Sequence, residues 1–110
     1  MVAFFLALLA AFSGLSHERI AMEPIRDVMH GASSSFYACI ADQPPGERNV
    51  TVRFYIAQDG SVTEARVLRS DLPEGNALDC IVRTVLALRF PALGPRAAGI
   101  QVIYPVRLVR

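Results

Sequence analysis

Apolar and polar residues alternate in five stretches of the chain, and the period of each names an element. From Pro24 onward, Ile25, Val28, Met29, Ala32, Phe36 and Cys39 or Ile40 recur at helical spacing, which predicts a helix of about four turns with one apolar stripe. Pro24 suits a first helical position, where its missing N–H would have had no partner. Gly31 to Ser35 are poor helix formers, so the helix is expected to be marginal there and held by packing. Gln43-Pro44-Pro45-Gly46 must stop it. Val50, Val52, Phe54 and Ile56 then alternate with Thr51, Arg53 and Tyr55, the period of a half-buried strand. Asp59-Gly60 is a hairpin signal, because glycine supplies the positive φ such a turn demands. A second strand from about Ser61 to Ser70 changes phase. Val62, Ala65 and Val67 are its inward residues, and Thr63 with Glu64 fills the place of one residue, which predicts a β-bulge.

After Leu72-Pro73-Glu74-Gly75, Asn76 is the expected N-cap of a second helix, with the Asp79 carboxylate in its first turn. Leu78, Ile81, Val82, Val85 and Leu88 or Arg89 make its stripe, and Pro91 ends it. A loop over Gly94 to Gly99 leads to a third strand, in which Ile100, Val102, Tyr104, Val106 and Leu108 alternate to the C-terminus. The order is thus helix, strand, strand, helix, strand, an α+β domain. A right-handed crossover makes the second and third strands parallel, and the first, antiparallel to both, fits between them in the order 2-1-3. Pro105 agrees, since proline lacks a ladder donor and belongs on an edge. Both helices would cover one sheet face and leave the other to solvent or a partner. Past the bulge, Glu64, Arg66 and Leu68 should share that face with Arg53, Tyr55, Ile103 and Arg107. Three guanidiniums around one tyrosine suit a carboxylate-bearing peptide or a glycan; the plainer alternative is a solvated face.

Composition narrows the function classes. The formal charge is +1 and all eleven basic residues are arginine. That balance argues against nucleic-acid binding by phosphate neutralisation and against a polybasic membrane-surface protein. Without lysine there is no Schiff-base or P-loop lysine. Two cysteines and two histidines in no ligand-like spacing leave no structural zinc site to expect. Residues 1–13 hold the apolar run Val2 to Phe12, shorter than the roughly 20 residues a membrane helix needs. It has the length of a signal-peptide core, and Ala11-Phe12-Ser13 offers small residues at the two positions a signal peptidase reads, with Gly14 first in the mature chain. A start codon assigned a few residues too late would explain both the absent n-region charge and the short apolar run; the alternatives to a cleaved signal are then the tail of a longer membrane anchor and a buried N-terminal helix. Residues 14–23 read as a lead-in and 24–110 as the domain.

The layout, together with Ile25-Arg26-Asp27-Val28, Cys39, Val50-Thr51-Val52-Arg53-Phe54-Tyr55-Ile56, Asp59-Gly60-Ser61-Val62, Leu78-Asp79-Cys80-Ile81, Arg89-Phe90-Pro91-Ala92 and Tyr104-Pro105, resembles the AgmX/PglI C-terminal domain family of the TonB C-terminal superfamily. The resemblance covers about Ile25 to Arg110. It departs at Ile40, where the family has an aromatic, and at Leu88, where it has tryptophan. It implies an interaction domain of the periplasm or cell envelope, and a third-strand edge that accepts an extended peptide by strand addition. Lacking a Pro-rich linker and a complete anchor, the sequence does not point to powered energy transduction by this chain alone. The paired cysteines of the family put Cys39 and Cys80 on two helices over one sheet face, as a disulfide in an exported protein or as two buried thiols in a reducing compartment.

Catalytic alternatives are weaker. His17 lies in the lead-in, and His30, nine residues from Cys39, falls on the opposite helix face, so neither makes a base for a thiolate. Ser33 to Ser35 lack a nucleophile elbow and read as helix surface. The expectation is therefore a non-catalytic domain without cofactor or metal that binds an envelope protein or peptide, with self-association as a further mode and no nucleic acid. Membrane contact is expected only through an uncleaved N-terminal segment. The binding residues expected are Arg53, Tyr55, Arg66, Ile103, Pro105 and Arg107. The competing reading is a small exported enzyme or thiol-redox protein using Cys39 or Cys80.

Overall fold

A computed structural model describes residues 23–93 and 98–110. The expectations for residues 1–22, including the signal segment, Gly14 and His17, and those for residues 94–97 of the loop lie outside the described residues. Among the described residues, 23–31 are helical (α1), α2 runs Ser33–Cys39, β1 Glu47–Ile56, β2 Val62–Ser70, α3 Asn76–Leu86 and β3 Ile100–Val109. The strands form one sheet in the order β2-β1-β3, antiparallel at both junctions, so β2 and β3 run parallel on either side of β1.

The apolar stripes explain the layering. Ile25, Met29, Ala32, Phe36, Cys39 and Ile40 from the first helical region, and Leu78, Ile81 and Val85 from α3, are buried against Val50, Val52, Phe54 and Ile56 of β1. Those four β1 residues are 0–1% exposed, so the central strand forms the floor of the core. The described helices all lie over this one face.

Several boundaries differ from the pattern reading. The first helix is two, interrupted at Ala32 (φ −92°, ψ 5°). There the Ala32 N–H is shared between the Val28 and Met29 carbonyls (3.2 Å each), and the Ser33 hydroxyl donates to the His30 carbonyl (2.6 Å). The interruption falls within Gly31 to Ser35, where glycine entropy and serine hydroxyls compete with helix hydrogen bonds. The N-cap of α3 is Gly75, not Asn76: Gly75 has φ +143°, Asn76 is already helical, and no side chain caps the end. α3 also ends at Leu86, before the residues expected to close its stripe, because Arg89 leaves to bridge Ser61.

The hairpin turn is a four-residue turn closed by the Gly60 N–H on the Ala57 carbonyl (2.9 Å), with Gly60 at φ +91°. Asp59 keeps a negative φ and accepts from the Ser61 N–H (3.0 Å) and hydroxyl (2.6 Å). These bonds hold its carboxyl below the usual carboxylate pKa, with a small contribution from Arg89. Phe90 passes directly over the turn: its N–H donates to the Gly60 carbonyl (2.9 Å), and its ring stacks on Phe54 at 5.7 Å.

Candidate functional site

Three features carry candidate chemistry: a disulfide at the rim of the core, a strand edge and an open sheet face. Cys39 and Cys80 are bonded, with Cα atoms 5.5 Å apart and a sequence separation of 41. The bond joins the end of α2 to α3, and Thr84 packs beside it with its hydroxyl 3.7 Å from Cys39 Sγ. Closing a loop of this length stabilises the fold by about 4 kcal/mol in the chain-entropy account. Such a bond is consistent with an oxidising, exported environment. No helix among the described residues is long and apolar enough to cross a membrane. His30 is exposed on α1, and Ser33 to Ser35 lie on the helix surface, as their positions in the pattern required.

The edge is set by register. Gly46 and Arg110 exchange both backbone hydrogen bonds (3.2 and 3.1 Å). Counting by twos along the ladder, Leu108, Val106, Tyr104, Val102 and Ile100 are the β3 residues bonded to β1. Gln101, Ile103, Pro105, Arg107 and Val109 therefore turn their backbone groups outward. Pro105, opposite Thr51, sits where its missing donor costs no ladder bond. At one end of the edge the Val109 N–H donates to the Tyr37 hydroxyl (3.3 Å) from α2. Close by, the Arg110 guanidinium donates to the carbonyls of Ile40 (3.2 Å), Gln43 (2.8 Å) and Ala41 at the end of α2. The N–H groups of Ile103 and Arg107 remain on the open edge, and Ile103 is 56% exposed.

The opposite edge, β2, is interrupted twice. Register shifts fall between Tyr55 and Ile56 and between Thr51 and Val52. The first is the bulge expected at Thr63 and Glu64. The second, at Leu68 and Arg69, was not legible in the pattern. Strict alternation from Arg66 would have turned Arg69 toward the helices; the second bulge leaves Leu68 and Arg69 both exposed and returns Ser70 to the covered side.

On the open face, rows run across the strands: Glu64, Tyr55 and Gln101; then Arg66, Arg53 and Ile103; then Arg69, Thr51 and Pro105; then Asn49 and Arg107. The Tyr55 hydroxyl donates to Gln101 Oε1 (2.6 Å). Arg53 and Arg66 thus stand directly opposite each other beside Tyr55, as the pattern suggested. Arg107 does not join them. It lies two rows away and is ion-paired to Glu47, on the N-terminal extension of β1 that the alternation did not reveal. Arg69 takes the third place.

Compared with protein-family models, with characterised proteins and with solved structures, the chain matches none.

Proposed function

We propose that this chain is a non-catalytic partner-binding domain of the cell envelope, of the TonB C-terminal type and similar to the AgmX/PglI C-terminal domain, which takes an extended segment of a partner on the outer edge of β3. The observation that carries the reading is the register of β3: the free N–H groups of Ile103 and Arg107 face outward with no strand beyond them among the described residues. An extended peptide satisfies such groups by main-chain hydrogen bonding. The α+β layout and the order β2-β1-β3 support the superfamily resemblance, and the Cys39–Cys80 bond supports a place outside the reducing cytosol. With both sulfurs in that bond, neither is a resting nucleophile, which weighs against the thiol-enzyme reading.

Pro105 limits the added strand to a short stretch, since it interrupts the outward donors between Ile103 and Arg107. Pro105→Val restores one donor with a β-branched residue suited to a strand and disturbs no bond to β1. The expected result is stronger self-association by sedimentation velocity, or tighter binding of an extended peptide, with an unchanged circular dichroism spectrum. A folded variant with unchanged sedimentation and unchanged peptide affinity would remove the edge as the binding element.

A further inference from the structure

We infer that the open sheet face is a docking site for an extended acidic peptide segment of a partner protein, held by Arg53, Arg66 and Arg69. This deepens the partner-binding reading and rests on it, but uses a different surface from the β3 edge.

The argument begins with arrangement. Arg53 and Arg66 are paired across neighbouring strands on the same face. Like charges directly opposite each other destabilise a sheet. None of Arg53, Arg66 and Arg69 makes a hydrogen bond or ion pair with another described residue. Four other arginines have partners: Arg48, Arg89 and Arg110 turn to backbone carbonyls, and Arg107 has Glu47. The side chains of Arg26 on α1 and Arg83 on α3 make no described hydrogen bond or ion pair either, but they lie on helices and not on the sheet face. Glu64 stands in the next row yet pairs with neither guanidinium. The bulge at Leu68 adds a second element, because it puts Arg69 on the face of Arg66 at a spacing of three residues, which a regular strand would not do. The backbone thus gathers three unneutralised guanidiniums where alternation alone would leave two.

The spacing selects the ligand. Neighbouring strands lie about 4.8 Å apart, so one carboxylate between Arg53 and Arg66 can accept from both. Same-face positions along a strand are about 7 Å apart, and the Arg69 row is one such step away. An extended peptide repeats its own side chains at the same interval, so acidic residues two apart meet the two sites together. The row on the other side presents Glu64 and Tyr55, which excludes a third acidic residue there. Leu68 (46% exposed) and Ile103 (56% exposed) flank the guanidiniums and give aliphatic contact to the rest of the segment. Charge complementarity therefore commits the face to a segment with two acidic residues at alternate positions and a neutral or basic one beyond them.

The test uses the oxidised full chain and a fluorescein-labelled, end-blocked octapeptide, Ser-Val-Glu-Val-Glu-Val-Ser-Val, read by fluorescence anisotropy at low salt. Binding is expected, weakening with added salt. The double variant Arg53→Gln/Arg66→Gln should lower affinity roughly tenfold or more and Arg69→Gln roughly threefold, as loss of charge-assisted bonds predicts. Arg26→Gln on α1 should change nothing. Circular dichroism keeps folding separate, and because these side chains make no described hydrogen bond or ion pair, the variants are expected to fold. The inference is overturned if the peptide does not bind, if a Lys-for-Glu version binds equally, if the arginine variants bind as the parent does, or if phosphatidylglycerol vesicles bind and the peptide does not. A version with Ser for Glu separates the two readings. If it binds while the acidic peptide gains nothing over it, the face is excluded and the edge stands; if no peptide binds and Pro105→Val is also without effect, the partner-binding reading falls as well.

Discussion

Replacing Gly60 by alanine is expected to be among the most damaging single-methyl additions this fold can receive. Two costs are separable. Gly60 sits at φ +91°, a conformation that costs an L-residue about 1–2 kcal/mol. The second cost is contact. A Cβ built on Gly60 lies 1.9 Å from the Phe90 carbonyl oxygen and 2.9 Å from its carbon, so backbone meets backbone and no flexible side chain can yield. Making room requires the strip over Arg89 to Pro91 to move by about 1 Å or more, given that carbon and oxygen do not approach within about 3 Å. That motion breaks the Phe90 N–H bond to Gly60, worth about 1 kcal/mol, and lifts a ring that is 7% exposed and stacked on Phe54. Complete loss of a buried phenylalanine costs about 3–5 kcal/mol, and partial withdrawal about half of that. The total is about 4–5 kcal/mol, a large part of the stability of a small domain.

Gly46→Ala is the matched control. Gly46 has φ +147°, and its Cβ would meet only the end of the Arg48 side chain at 3.9 Å, so only the conformational cost of about 1–2 kcal/mol applies. Urea unfolding of the oxidised proteins, followed by circular dichroism, compares the two. At about 4–8 °C per kcal/mol the Gly60 variant should also melt roughly 16–40 °C lower than the parent. If Gly60→Ala falls within about 0.5 kcal/mol of Gly46→Ala, well below the cost of a lost buried contact, the close approach of Phe90 is not a constraint and the reasoning fails.

Two other outcomes follow from the same geometry. The double variant Cys39→Ala/Cys80→Ala should lose about 4 kcal/mol in urea, and a dithiol reductant should destabilise the parent by a similar amount while leaving the variant unchanged; two alkylated thiols in the unreduced parent would contradict the bond. Asp59, held below its usual pKa by the Ser61 hydroxyl and N–H, supplies stability that is present above the unfolded carboxylate pKa and lost as pH falls through the lower folded value. Ser61→Ala should move the Asp59 titration, followed by NMR, back toward the usual range, and an unmoved titration would deny the hydroxyl its part.

What could be read from the chain and what could not divides along physical lines. Val50 to Ile56 alternate because β1 is covered on one side only, so period alone located the core face. Val62 followed by Ala65 and Val67 disclosed the first bulge, since an inward residue on each side marked the change of phase. The bulge at Leu68 and Arg69 had no such marker. The strand ends at Ser70, leaving no further apolar residue to reveal the return to the covered side. That cost the candidate site Arg69. The pattern grouped Arg107 with Tyr55 because its partner Glu47 follows the Pro-Pro-Gly stop, where nothing in the pattern extends β1; the register keeps Arg107 on the open face but two rows from Arg53. Gly75 and Asn76 are both good N-cap residues, and only the backbone angle at Gly75 chooses between them. The Gly60–Phe90 contact joins residues thirty apart through backbone atoms, which carry no sequence signature.

The two bulges of β2 have a consequence for how many molecules can assemble. A flat three-stranded sheet has two growing ends, and copies can add at both to build a ribbon without limit. Here β2 is coiled out of line at Thr63 and again at Leu68, so a neighbour meets no straight run of backbone groups there. Among the described residues β3 is the edge with an unbroken register, so under the proposed strand-addition reading it is the edge expected to accept a strand, over a short stretch. On that reading, addition at β3 is not repeated at β2, so strand addition is expected to end at a pair and not to continue as a ribbon, an outcome that sedimentation velocity reports.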